Sequence, residues 1–162
     1  MKRFLLLLSL ITLCLPLGVG SETFRCEPTR PDGQGPFYRA GAPLRDKVGE
    51  GYLLYGAVKS AHDCRTIPHA KIEIWLNGTD GKYGDDWWAT LYSDGQGKYH
   101  FQSHVPVNFG SRPPHIHMVV NAPGFQELIT QYYPKKGAEV GLFDLVLIPV
   151  EKPAAPDTRS IP

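Results

Sequence analysis

The stretch Ala70–Leu76, AKIEIWL, decides the fold, because it alternates with a period of two. Ile72, Ile74 and Leu76 fall on one face of an extended chain, and Lys71, Glu73 and Trp75 fall on the other. A strand with an apolar face needs partners to cover it, and comparable segments recur on both sides. They are YLLYGAV from Tyr52, WATLYS from Trp88, KYHFQSH from Lys98, HIHMVVN from His115, ELITQYY from Glu127 and FDLVLIPV from Phe143. Turn-forming runs such as NGTDG and SDGQG separate these segments and favour antiparallel hairpins over crossover helices. No amphipathic stretch is long enough for a helix. The expected architecture is all-β, an antiparallel β-sandwich with an extended N-terminal arm and little helix.

The flanks of this block divide the chain. Residues 1–20, MKRFLLLLSLITLCLPLGVG, have a basic start, an apolar run and a small-residue end. That is the pattern of a secretory signal peptide cleaved near Gly20, and it predicts a secreted or periplasmic protein. The run from Phe4 is broken by Pro16 and is too short for a stable membrane anchor. Cys14 opens a lipoprotein alternative, which the bulky Leu13 disfavours. Residues 21–50 are rich in Pro, Gly and charge without periodicity, and read as an extended arm with Phe37, Tyr38 and Leu44 as anchors. Residues 51–150 form the expected sandwich, and 151–162, EKPAAPDTRSIP, a flexible tail.

Once the leader is removed, Cys26 and Cys64 are the remaining cysteines. In an oxidising compartment they form one disulfide that ties the arm to the body, stabilising by roughly 3–4 kcal/mol in the chain-entropy picture. The net charge is +1 with no block of like charge, so neither a nucleic acid nor another polyanion is an expected partner. An oligomer is compatible with the sequence, which shows no defining interface patch.

Chemistry concentrates in Arg112–Met118, RPPHIHM. On a strand His115 and His117 project from one face, about 7 Å apart along the backbone, and can converge on one metal ion, while Ile116, Met118 and Val120 pack inward. A third ligand is open to several candidates. Asp85 or Asp86 would suit ferrous iron, His100 or His104 would suit zinc or copper, and Tyr83 would bring a phenolate suited to ferric iron.

The segments GQGPFY, AKIEIWLNGTDGKY, DGQGKYHF, RPPHIHM and LITQYY follow one another in the order seen in intradiol ring-cleavage dioxygenases, the family of protocatechuate and catechol dioxygenases. The chain resembles the short secreted members of that family. The resemblance implies a non-haem Fe(III) cofactor, a small aromatic diol and O2 as substrates, and cleavage between the two hydroxyl-bearing carbons. By motif it implies Tyr83, His115 and His117 as metal ligands, with Arg112 and Gln131 as catalytic residues that steady negative charge. Where the family has a second tyrosine ligand, this chain has Phe109, which cannot bind iron. Tyr92, beside a turn, is the preferred replacement among Tyr92, Tyr99, Tyr132 and Tyr133, and a water molecule is the other option. The alternative reading is a metal- or ligand-binding sandwich of the same scaffold that does not cleave rings.

Overall fold

A computed structural model describes residues 23–150, so the leader at 1–20 and the tail at 151–162 lie outside the described residues. Eight strands form: β1 (Tyr52–Ser60), β2 (Lys71–Trp75), β3 (Trp88–Tyr92), β4 (Lys98–Ser103), β5 (Ile116–Asn121), β6 (Leu128–Tyr132), β7 (Val140–Leu142) and β8 (Leu145–Leu147). All the expected strands are among them, and β7 is the addition, three residues long with Gly141 at its centre. The only helix among the described residues is one 3-10 turn, Asp85–Trp87.

The strands make two sheets, β3-β2-β5-β6 and a second in which β1 pairs with β4 on one side and with β7 and β8 on the other. Between the sheets lies an apolar core of Leu54, Val58 and Phe101 from one layer and Ile72, Ile74, Met118 and Val120 from the other. The inner faces follow the period of two, as expected for a sandwich.

Three features depart from the sequence reading. First, β1 pairs with β7 and β8 in parallel, while its pairing with β4 is antiparallel. Between β7 and β8 the ladder is interrupted, and the Asp144 carboxylate fills the gap by accepting from Ala57 N at 2.9 Å. Gly56 is needed there, because a Cβ would lie 2.0 Å from the Phe143 carbonyl. Second, the SDGQG turn carries the chain from β3 to β4, which belong to different sheets, so it is an arch and not a hairpin. Leu91 of β3 and Phe101 of β4 face one core from opposite layers, and that burial outweighs local pairing.

Third, β2 is buried on both faces. Trp75 and Glu73 are 2% and 3% exposed. The arm covers them, held by backbone bonds from Arg45 N to Thr90 O and from Thr90 N to Pro43 O. Trp75, Trp88 and Val119 form a second apolar cluster there, packed against Phe37, Tyr38 and Tyr83. The arm is pinned at its other end by the Cys26–Cys64 disulfide, with Cα atoms 5.4 Å apart, and by Thr29 N to Val146 O and Asp32 N to Ile129 O.

Candidate metal centre

Register builds the centre. On the sheet face beneath the arm, His117 of β5 lies directly between Trp75 of β2 and Gln131 of β6. Its ring stacks on Trp75, with centroids 4.9 Å apart and planes 3° from parallel. His115 precedes the strand by one residue and meets the His117 ring edge-on at 4.8 Å. Both imidazoles are buried, on the face turned away from the sandwich core.

Tyr83 comes to them from the loop after β2. Gly78 N bonds to Lys82 O, and Lys82 N to the Asp80 carboxylate, closing the NGTDGKY segment into a compact turn. Phe37 of the arm stacks on the Tyr83 ring at 4.3 Å, and Phe109 meets it edge-on at 5.1 Å. The Tyr83 hydroxyl then lies 3.1 Å from His115 Nε2 and 3.0 Å from His117 Nε2.

Arg112 and Phe109 face each other across a two-residue turn, joined by reciprocal backbone bonds of 3.2 and 3.0 Å. Arg112 Nη2 donates to Gln131 Oε1 at 2.8 Å and to the Tyr133 hydroxyl at 3.2 Å. Gln131 Nε2 donates to the Gly33 carbonyl, and the Tyr133 hydroxyl donates to Asp32 Oδ2 at 2.8 Å. The arm is therefore part of the site.

The electrostatics favour neutral imidazoles. His115 Nδ1 lies 2.8 Å from the Pro113 carbonyl, which can only accept, so Nδ1 carries the proton and Nε2 turns a lone pair toward Tyr83. Burial first, then His115 and Arg112, push His117 down to about 4, and Asp32 and the Gly33 carbonyl offset this only in part. Burial also lowers His115, against the Pro113 bond. Burial raises Tyr83, and Arg112 opposes it.

The donor set fits a cation. One phenol proton cannot serve two imidazole nitrogens at once, so the three atoms meet without enough protons to join them by hydrogen bonds alone. With metal–donor bonds of about 2 Å, neighbouring ligands of one ion lie about 3 Å apart, as the Tyr83 oxygen and each imidazole nitrogen do. A phenolate with two imidazoles suits ferric iron. Among the described residues no cluster of three or more His, Cys, Asp or Glu side chains gathers for a metal, so tyrosine is essential to this set.

The other candidates for a third ligand stand apart. Asp85 and Asp86 are exposed on the 3-10 turn, with Asp85 paired to Arg39 at 2.6 Å. His100 pairs with Asp46 on the surface of the other sheet. His104 is buried but bonds through Nε2 to the Asn77 carbonyl and meets Trp87 edge-on. Tyr92 is 52% exposed at the end of β3 and lines a separate cleft with Tyr55, Lys98 and His100, so it does not replace the missing ligand. Tyr99 is core, bonded to Phe143 O, and the Tyr132 hydroxyl pairs with that of Tyr52. Tyr133 is the tyrosine that joins the Arg112 network. That separate cleft, about 620 Å³, is larger than the 490 Å³ cleft lined by Asp32, Gln131 and Tyr133, yet it holds none of the site residues.

The fold and this site define a largely antiparallel β-sandwich that carries, on the outer face of one sheet, a tyrosine–histidine donor set able to hold a cation. No family model matches the chain. Two sequence relatives are a catechol 1,2-dioxygenase of Acinetobacter lwoffii, 30% identical over 60% of this chain and 48% of its own length, and a chlorocatechol 1,2-dioxygenase of a Pseudomonas species (strain P51), 30% identical over 65% of this chain and 55% of its own. The chain thus spans about half the length of the curated relatives it matches. An intradiol ring-cleavage dioxygenase from Tetranychus urticae shares the fold with a TM-score of 0.70 at 16% identity, over 78% of this chain and 97% of that one. The chain is similar in sequence to catechol and chlorocatechol 1,2-dioxygenases over about half of their length, and shares its fold with an intradiol ring-cleavage dioxygenase.

Proposed function

We propose that this protein is a secreted non-haem Fe(III) dioxygenase that opens catechol-type rings between the two hydroxyl-bearing carbons. The observation that carries the reading is the meeting of the Tyr83 hydroxyl with both imidazole Nε2 atoms at 3.0–3.1 Å. Tyr83, His115 and His117 would hold the ion, which when bound supplies Lewis acidity toward a chelating diol and a redox partner for O2. The protein's own part is positional. Trp75 and Phe37 lock the His117 and Tyr83 rings by stacking. Arg112, fixed by Gln131, presents a permanent positive charge where negative charge develops on a ring-opened product.

A second reading keeps the metal but loses ring cleavage, and Phe109 is its observation: its ring fills space beside Tyr83 and offers neither a ligand nor a base. Ferric loading of the purified protein separates the two. The first reading expects a visible phenolate-to-iron band that shifts with added catechol, O2 uptake, and loss of the band in Tyr83→Phe. A band without O2 uptake on any catechol selects the second reading. Protein that binds ferric iron without colour sinks both assignments of Tyr83.

A further inference from the structure

A catechol that chelates a cation must lose its hydroxyl protons, and the residues around this centre restrict where they go. Tyr83, His115 and His117 are committed to the ion, Arg112 only donates, Gln131 is neutral and Phe109 has no acceptor atom. Glu73, the buried carboxylate on the same sheet face, is taken by Lys71 at 3.1 Å and by the Tyr38 hydroxyl at 3.1 Å. The carboxylate left is Asp32 on the arm, which reaches the site through Tyr133.

The hydrogen-bond geometry has a direction. The Tyr133 hydroxyl has one proton and gives it to the nearer, charged acceptor, Asp32 Oδ2 at 2.8 Å, over Gln131 Oε1 at 3.2 Å. One of its lone pairs receives Arg112 Nη2 at 3.2 Å, and the other is free. Asp32 itself is exposed, and both groups line the 490 Å³ cleft beside Gln131. The Tyr133 ring pairs with that of His115 at 6.0 Å, so a donor–acceptor pair two residues long runs from the edge of the centre to solvent.

Resting on the ring-cleavage reading, we propose that Tyr133 and Asp32 form the proton outlet of the site. The substrate O–H bond breaks as its proton joins the Tyr133 oxygen, the proton already on Tyr133 passes to Asp32 Oδ2, and Asp32 releases it to water. The substrate becomes a phenolate, Asp32 returns to its charged form, and nothing is oxidised or reduced. Tyr133 holds one proton before and after, so its ionisation is not required. Burial works to raise Asp32, but the Gly33 and Tyr133 bonds and the Arg112 charge outweigh it and hold the carboxyl below its usual value, which suits release over retention.

The test is stopped-flow mixing of the ferric-loaded full chain with 4-nitrocatechol, whose visible spectrum reports its ionisation. Tyr133→Phe and Asp32→Asn are expected to slow that ionisation roughly a hundredfold, the low end of what a placed proton-transfer group supplies. The final spectrum and equilibrium affinity should change less than about twofold, and Tyr92→Phe should match the unaltered protein. If both variants ionise the probe at the unaltered rate, the outlet is wrong. If they weaken affinity in step with rate, the pair positions Arg112 and does not carry protons, which also overturns the proposal. If the unaltered protein never perturbs the probe's spectrum, the ring-cleavage reading itself fails, and the outlet with it.

Discussion

His117 shows how one residue of the candidate metal centre bears on stability. Its pKa of about 4 in the folded protein lies well below the ordinary 6.5, because its ring is buried beneath Trp75 and faces His115 and Arg112. A histidine depressed by folding binds more protons in the unfolded chain, so its contribution is complete above pH 6.5 and is lost as pH falls toward 4. The shift corresponds to about 3 kcal/mol, and burial lowers His115 and His104 in the same direction. Chelator-treated protein should therefore lose urea resistance steeply between pH 6.5 and 4, and His117→Gln should flatten that slope. A midpoint independent of pH across this window would contradict a neutral, buried His117. At this scale much of the site was legible. His115 and His117 stood out because strand periodicity puts them on one face, and Arg112 and Gln131 through motif order. Tyr133 did not, since a tyrosine near a strand end reads equally as packing until the arm brings Asp32 to its hydroxyl.

The N-terminal arm is the element that sequence reading described least well. Its composition predicts an extended segment, but nothing in GQGPFY states that it lies over the candidate metal centre. Long-range burial decides that: Phe37 and Tyr38 have large apolar rings, and the open face of β2 around Trp75 has the room for them. The same burial covers Glu73 and Trp75 on the second face of AKIEIWL, which alternation separates from the core face without saying what covers it. Gly35 marks the closest approach. Its φ is +74°, a conformation that costs any other residue, and a Cβ there would lie 3.2 Å from His117 Cε1. Gly35→Ala is expected to destabilise the protein by about 1 kcal/mol or more and to tilt the His117 ring. Thermal melting would register the first effect, and faster loss of ferric iron to a competing chelator the second. Unchanged iron retention would mean that the arm covers the ring without positioning it.

Across the whole molecule, two layers and a strap divide the labour. The sandwich core of Leu54, Ile72, Phe101 and Met118 holds the sheets together, and the centre sits outside it, between β2, β5 and β6 and the arm. That arrangement leaves the site dependent on a segment without strands of its own, fastened by the Cys26–Cys64 disulfide and by scattered bonds such as Thr130 Oγ1 to Arg30 O. The pairing of the two cysteines was readable from their number alone, whereas its consequence required the three-dimensional path. Closing a loop of 38 residues in sequence separation stabilises by roughly 3–4 kcal/mol, mostly by restricting the unfolded chain. Because the arm also carries Asp32, Gly33 and Phe37, opening the bond should act twice. Cys26→Ser with Cys64→Ser is expected to lower the melting temperature by several degrees or more, since about 1 kcal/mol moves a domain of this size by a few degrees. It should also speed iron loss at temperatures where the sandwich remains folded by far-ultraviolet circular dichroism. If iron retention and global unfolding instead fall together at one temperature, the arm and the sandwich are a single cooperative unit, and the disulfide guards the whole fold and not the site in particular.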